Sequence, residues 1–369
     1  MEGKKIGNKT VSVPSILGLG KEGLDAWLAE RGEKAFRAKQ ILEWLFVKRV
    51  ESFAEMLNLS VALRAELEAC FCINPLEIVE VNGAKDATRK FLFRLQDGRL
   101  VESVFIKASQ GSQGQQSDRQ TLCVSSQVGC AYDCKFCASG LAGFTRNLST
   151  AEIVAQLLSV EAESGEKVNN VVFMGMGEPL ANYTNLAASI KILNAHWGVG
   201  IGGRSITVST SGLAPQIKKL ADDTEAQIRL AISLHGASDE VRSRIMPVND
   251  KYNLDRLFEA LHYWRERRKQ RLTFEYILIE GMNDSLDQAR LLGKRAKSVG
   301  ALVNLIPYNT VEGLPWKRPS EEQQEAFLRA VKSSDVAATL RREKGGDINA
   351  ACGQLRLRRE EELEISGEG

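Results

Sequence analysis

Between residues 121 and 307 the chain alternates short apolar runs with longer amphipathic stretches. The apolar runs fall at 121–126, 169–174, 204–209, 227–234, 272–279 and 301–307. They are brief, rich in Val, Ile and Leu, and mostly lack strict polar alternation, which reads as strands buried on both faces. The intervening stretches carry helical patterns. One of them opens at Ser149-Thr150 with Glu152 in its first turn, a helix-start signal. Strands alternating with helices predict parallel pairing through right-handed crossovers. Six such units are too few for a closed eightfold barrel. They predict an α/β fold with a partial (β/α)6 barrel over residues 119–335.

Residues 15–70 read as helical, with Phe36, Ile41, Trp44 and Leu45 near helical spacing. Lys34, Arg37, Lys39, Lys48 and Arg49 form a charged face there. It reads as a solvated face, the alternative being a surface that grips RNA. Residues 76–82, 88–95 and 100–106 predict short strands, with turn chemistry at 83–86 and 96–98. The Gln/Gly/Ser-rich stretch 108–117 reads as a flexible loop or linker. The expected organisation is a helical accessory domain over 1–72, strands and linker over 73–118, the barrel over 119–335, and a C-terminal segment over 336–369.

Composition narrows the class. Of 369 residues, 43% are hydrophobic, enough for a large core. A net charge of +2 neither demands nor excludes a nucleic-acid partner. Met1-Glu-Gly-Lys-Lys has no apolar segment behind it, so no signal peptide is expected. No apolar run approaches the roughly 20 residues that cross a bilayer, so no membrane partner is expected. Seven cysteines, an odd number, fit a reducing cytoplasm better than a disulfide scaffold.

Cys130, Cys134 and Cys137 form C-x3-C-x2-C. Three thiolates supply three irons of a [4Fe–4S] cluster and leave the fourth open to a small molecule. A structural zinc site wants four ligands, and no further Cys or His follows within fifty residues. Other polar groups fall just past strand ends: Gly175-Met-Gly177-Glu178-Pro179, Ser209-Thr-Ser211-Gly212, Ser233-Leu234-His235 and Pro307-Tyr-Asn309. Parallel α/β barrels build their sites at that face. Gly175 and Gly177 let the backbone approach a ligand closely, and Glu178 can accept from an ammonium group. Cys70 and Cys72 read as packing residues. Cys123 lies on the first barrel strand, and Cys352 in a glycine-flanked loop that suggests an accessible thiol.

The three-cysteine motif, with Phe136 before its last member, resembles the radical S-adenosylmethionine (SAM) signature. That resemblance implies SAM bound to the open iron and cleaved by one electron to a 5′-deoxyadenosyl radical. Ser125–Cys130, Val172–Pro179, Ser209–Gly212, Ser233–His235, Asn304–Asn309 and Ala350–Gln354 together resemble the RlmN/Cfr family of RNA adenosine methyltransferases. The match runs from about residue 30 to 356. Phe36–Ile41 and Asn249–Asn253 resemble the RlmN branch, which methylates C2; the Cfr branch methylates C8.

The resemblance implies Cys130, Cys134 and Cys137 as cluster ligands. It implies Gly177, Glu178, Ser209, Ser233, Leu234, His235 and Asn309 at SAM, which is used twice per turnover. Cys352 would take a methyl group from one SAM and, after hydrogen abstraction by the radical from a second, bond its carbon to adenine C2. Glu102, in Val101-Glu-Ser-Val104, would accept the C2 proton; the alternative for it is a solvent-facing strand residue. Cys123 would attack Cys352 and release the product, leaving a disulfide for cellular reductant to reopen. Lys107 stands where the family commonly has proline, and the 108–117 stretch lengthens the chain between Glu102 and Cys123.

Implied partners are 23S rRNA, tRNA and an electron donor of the flavodoxin type. Basic runs at 265–271, 341–344 and 356–359 could neutralise phosphates, or serve only as helix surface. Rival readings are the C8 enzyme, a radical SAM activase or reductase, and an iron–sulfur RNA-binding redox sensor.

Overall fold

A computed structural model of the chain describes residues 13–84, 88–107, 118–141, 143–310 and 313–341. Cys352, the 108–117 stretch and the basic run at 356–359 lie outside the described residues.

The sheet begins with three antiparallel strands, β1 (Leu76–Asn82), β2 (Arg89–Leu95) and β3 (Leu100–Lys107), and β3 pairs antiparallel with β4 (Gln120–Cys123). A separate ribbon joins β5 (Gln127–Gly129) to β6 (Phe144–Asn147). From β4 the main sheet runs on in parallel through β7 (Asn170–Phe173), β8 (Ile206–Thr210), β9 (Arg229–Ser233), β10 (Leu272–Leu278), β11 (Leu302–Pro307) and β12 (Ala338–Leu340). Its order is β1-β2-β3-β4-β7-β8-β9-β10-β11-β12, ten strands among the described residues.

The six expected parallel strands are present. β12 adds a seventh inside the expected C-terminal segment, and β1 to β3 extend the barrel sheet itself. The sheet therefore runs across the positions 118 and 335 where boundaries were expected.

Helices cover the outer face. α1 (Gly20–Ala29), α2 (Phe36–Glu43) and α3 (Val61–Cys70) make the N-terminal module. α4 (Ala138–Leu141) and α5 (Thr150–Ser164) follow the ribbon's two strands. α6 (Tyr183–Asn194), α7 (Ala214–Asp223), α8 (Asp239–Ile245), α9 (Val248–Lys251), α10 (Leu254–Arg267), α11 (Leu286–Val299) and α12 (Glu321–Lys332) fill the later crossovers. α5 starts where the sequence signalled. Ser149 Oγ accepts from the Glu152 N–H at 3.2 Å and Glu152 Oε2 accepts from the Ser149 N–H at 2.8 Å, a reciprocal cap. Gly165 ends it in the left-handed conformation, φ 70°.

One hydrophobic core spans module and barrel, from Ile16 and Leu17 through Leu122, Val171, Val208 and Phe274 to Phe327. Ile41 and Leu45 are buried in it as their spacing predicts, whereas Phe36 is 51% exposed. Phe36 opens α2, where its ring lies beside the Arg37 guanidinium instead of the core. Arg49 departs from the expected solvated face. It caps the π-helical turn Trp44–Lys48 that continues α2, at φ 59°, and donates to Glu161 Oε2 on α5 at 2.8 Å, tying the module to the barrel. Among the described residues no helix is long and apolar enough to cross a membrane.

Gln156, fully buried on α5, accepts from Ser103 Oγ at 2.7 Å and from the Ser125 N–H at 2.8 Å, and donates to the Ser125 carbonyl at 3.0 Å. Replacing it with Leu strands those groups away from water. Gln156→Leu is expected to lower the unfolding free energy by about 3 kcal/mol, read as a reduced urea midpoint at unchanged slope.

Candidate active site

The C-terminal ends of the parallel strands surround a cavity of about 420 Å³, within the usual range of small-molecule sites. Cys130, Cys134 and Cys137 lie in its wall, on the loop between β5 and β6. The ribbon closes the base of that loop: the Cys130 N–H donates to the Gly143 carbonyl at 3.0 Å. A Cβ on Gly129 would lie 1.7 Å from that same oxygen, so only glycine permits the closure. The Lys135 N–H donates to the Ile245 carbonyl at 2.9 Å, which anchors the loop to the end of α8.

Burial pushes the Cys130 thiol up to about 12 and the Cys134 thiol well above its ordinary value. None of the six described cysteines forms a disulfide. Among the described residues no three such side chains converge on a single ion. Thiols that each serve a different iron of a cluster have no need to. Three unbridged thiols on one glycine-closed loop, facing one cavity, fit the [4Fe–4S] donor set.

The Gly175–Pro179 turn follows β7 and packs directly on the exit of β4. A Cβ on Gly175 would fall 2.7 Å from the Val124 carbonyl. On Gly177, φ +97°, it would fall 2.5 Å from Gln127 Cβ. Ser125 Oγ accepts from the Met176 N–H at 2.9 Å and donates to the Glu102 carbonyl at 2.6 Å. Gln127 Oε1 accepts from the Glu178 N–H at 2.8 Å.

The Glu178 carboxylate lines the cavity and accepts from the Leu180 N–H at 3.0 Å and the Ser211 N–H at 2.7 Å. Burial raises its pKa. A cation in the cavity would reverse that, because it would favour the charged carboxylate. Ser139 Oγ, also in the wall, is buried with no partner among the described residues. These features fit a bound polar molecule with a cationic end.

Ser209, Ser233, His235 and Asn309 line the same cavity; His235 and Asn309 lie past the ends of β9 and β11, whereas Ser209 is within β8 and Ser233 is the last residue of β9. The Leu234 side chain instead sits in the core. Its N–H donates to the Glu275 carbonyl at 3.0 Å and its carbonyl accepts from Arg242 Nε at 3.1 Å. His235 holds φ 52°, packs edge-on against Phe136 with centroids 4.8 Å apart, and accepts at Nδ1 from the Ile277 N–H at 3.0 Å. That leaves the ring proton on Nε2.

Glu102 and Cys123 sit beside the cavity, outside its lining. Cys123 packs with Val104, Val172 and Met174, and Met174 is in the wall. Glu102 is 2% exposed, which removes the solvent-facing alternative. Val104 pairs with Cys123 across β3 and β4, so strand alternation puts Glu102 on the Cys123 side of the sheet.

Sequence reasoning missed Arg242. It is fully buried on α8 and donates to the Leu234 carbonyl, to Asn249 Oδ1 at 2.7 Å and to the Ser211 carbonyl, joining the loops after β8 and β9. Burial holds its pKa down to about 10. In Asp-Glu-Val-Arg-Ser-Arg it reads as one more solvated charge; the glycines at 212 and 236, which make room for it, were the available signal.

Two residues of the basic run at 265–271 are engaged within the fold. Arg267 pairs with Asp222 at 3.7 Å, and Arg268 donates to the Ala221 and Thr224 carbonyls. These contacts favour its reading as helix surface.

A thiol triad at the mouth of an open parallel barrel defines the radical SAM class. The Radical SAM superfamily model matches residues 124–291, and the model for the ribosomal RNA large subunit methyltransferase N-terminal domain matches residues 15–73. The chain is 55% identical over 350 residues to a probable dual-specificity RNA methyltransferase RlmN of Akkermansia muciniphila, covering 95% of this chain and 97% of that one. It is 51% identical to a probable dual-specificity RNA methyltransferase RlmN 3 of Opitutus terrae, covering 96% and 98%. The crystal structure of a radical SAM methyltransferase from Sphaerobacter thermophilus superposes with a TM-score of 0.86 at 38% identity, covering 92% of this chain and 98% of that one. The chain belongs to the RlmN family of radical SAM RNA methyltransferases, whose cofactors are SAM and a [4Fe–4S] cluster.

Burial and the Arg242 charge hold the His235 pKa down to about 3, against an ordinary 6.5. The unfolded chain takes up that proton first as pH falls, so stability from neutral His235 is complete above 6.5 and is lost toward about 3. Thermal unfolding across that window is expected to show a shallower acid decline in His235→Gln than in the unsubstituted protein.

Proposed function

We propose that this protein methylates C2 of a specific adenosine in 23S rRNA, and of tRNA as well, through a methyl group carried on Cys352. One observation carries the reading: the three cluster thiols, Glu178, Ser209, Ser233, His235 and Asn309 all line one cavity. Cys130, Cys134 and Cys137 hold the cluster, which when bound supplies the electron for homolytic chemistry on SAM. Glu178, beside Gly177, accepts from the SAM ammonium group. Ser209, Ser233, the Leu234 backbone, His235 and Asn309 hold the rest of the molecule. Two SAM molecules serve each turnover, one of them methylating Cys352.

An adenine C2 has no lone pair with which to attack a methyl group, so a polar displacement cannot begin there. On this reading the Cys352 methyl group first gives up a hydrogen atom to the radical derived from SAM and its carbon bonds to C2; the adduct would lose one electron, which the bound cluster can take up, and Glu102 takes the C2 proton. The Cys123 thiol then attacks the Cys352 sulfur; the sulfur–carbon bond breaks, a disulfide forms, the released carbon takes up a proton, and the RNA leaves methylated. A reductase of the flavodoxin type supplies electrons, and thiol reductant reopens the disulfide. The burial of Glu102 and Cys123 on one side of adjacent strands supports their pairing in this role.

The helical module over 1–72 grips RNA. The barrel over 119–335 holds the cofactors, the strands and linker over 73–118 connect the two, and the segment over 336–369 delivers Cys352. A cytoplasmic location follows from an RNA substrate and a reducible thiol pair.

Mass mapping of RNA incubated with labelled SAM and reductant is expected to place the label at C2. Label at C8 would transfer the protein to the Cfr reading. Cys352→Ala is expected to abolish methylation while cluster absorbance persists. Cys123→Ala is expected to leave an RNA–protein adduct on a denaturing gel, and free product at the normal rate would overturn its resolving role.

A further inference from the structure

Ser233, Glu275, Asn304 and Thr339 form one cross-strand row, paired in register from β9 to β12. Such partners project to the same face, and Ser233, Glu275 and Asn304 all line the cavity. Thr339 Oγ1 donates to Asn304 Oδ1 at 3.2 Å, which turns the amide NH2 toward Glu275; Asn304 Nδ2 then donates to Glu275 Oε2 at 2.7 Å. Among the described residues that is the one side-chain hydrogen bond Glu275 accepts. A carboxylate 9% exposed, with most of its lone pairs unengaged, calls for donors. Burial raises its pKa, and Asn304 and the Arg341 charge work against that rise.

The described wall carries two carboxylates, Glu178 and Glu275. Glu178 sits on the turn that packs against the cluster-loop strand, where an ammonium group is expected. Glu275 stands on β10, with Ile277 two residues further along the same face and Ile306 paired to Ile277 beside it. That places an acceptor next to an apolar shelf suited to a flat base. We infer that the Glu275 carboxylate, oriented by Asn304 and Thr339, accepts both hydroxyls of the SAM ribose, an assignment that rests on the cavity being the SAM site. Two oxygens match a vicinal diol. An internal RNA nucleotide has its 3′ oxygen esterified and offers one hydroxyl, so the pair selects the free nucleoside.

The test is calorimetric titration of the cluster-reconstituted protein with S-adenosylhomocysteine and its 2′-deoxy and 3′-deoxy analogues. The unsubstituted protein is expected to lose about tenfold in affinity for either analogue. Glu275→Gln is expected to lose a similar factor toward the parent compound and to bind all three alike. Thr339→Val, on a three-residue strand where folding is little at risk, is expected to give a partial loss that Thr339→Ser restores. Melting curves establish that each variant is folded. Equal binding of all three ligands by the unsubstituted protein, or undiminished discrimination by Glu275→Gln, would overturn the inference alone. Failure of the unsubstituted protein to bind S-adenosylhomocysteine would overturn the cavity assignment, and the inference with it.

Discussion

Ser125 is the joint on which the site depends. Its hydroxyl donates to the Glu102 carbonyl and accepts from the Met176 N–H, while its own backbone is held on both sides by the Gln156 amide. Four elements meet there: β3, the exit of β4, the turn after β7, and α5. A chain leaving a strand normally loses its ladder partners, and buried backbone groups without partners are costly. Here the serine hydroxyl and a glutamine from the overlying helix replace the ladder. The same atoms fix the start of the cluster loop, the Gly175–Glu178 turn and the carbonyl of Glu102 in one rigid frame. Gly175 is part of the requirement, since any side chain there would strike the Val124 carbonyl.

The frame supports an unusual set of buried polar groups. Glu178, His235, Arg242 and Glu275 are all close to fully buried. Burial opposes ionisation of each; neighbours work against that at Glu178, Arg242 and Glu275, whereas the Arg242 charge adds to it at His235. Arg242 is surrounded by carbonyls and an amide, Glu178 by backbone N–H groups, and His235 stays neutral. The consequence is a preorganised cavity. A charged ligand meets dipoles and opposite charge already in position, with little reorganisation on binding. Leu234 illustrates the division of labour, because its side chain secures the core while its backbone links Glu275 to Arg242.

Much of this was legible along the chain, for physical reasons that differ by element. Parallel strands are buried on both faces and so read as apolar runs, which is why β7 through β11 stand out. The thiol spacing and the polar residues at strand ends carry chemistry that packing alone does not ask for. β12 escaped because Ala-Thr-Leu is too short to show a pattern. The β5–β6 ribbon escaped because its partners bracket the cysteine loop, and its only signal is Gly129 against Gly143. Glu275 and Asn304 were hidden inside runs that read as core, since periodicity does not reveal which strand face encloses a cavity. Arg49 reads as a surface charge, and nothing in its immediate sequence singles out Arg242. Each has partners brought in by the fold, Glu161 for one and the Ser211 and Leu234 carbonyls for the other, from positions no local window contains.

The incomplete barrel has its own logic. A closed eightfold barrel fills its interior with side chains, whereas among the described residues this sheet runs from β1 to β12 with a cavity open between strand ends. The last described residue, Arg341, donates its N–H to the Leu305 carbonyl at 2.8 Å and lines that cavity. Cys352 lies eleven positions further on, 352 − 341. Extended chain spans about 3.3–3.6 Å per residue, so covalent connection permits the thiol to reach any part of the cavity. A base within a folded RNA must be turned out of its stack to be modified, and it needs an unobstructed approach. On the proposed reading, with Cys352 as methyl carrier, rigid strand termini hold the cofactor end and the cavity between the strand ends leaves the base its approach. The small molecule gets a fixed frame, and the macromolecule gets an entrance that a closed barrel would not leave.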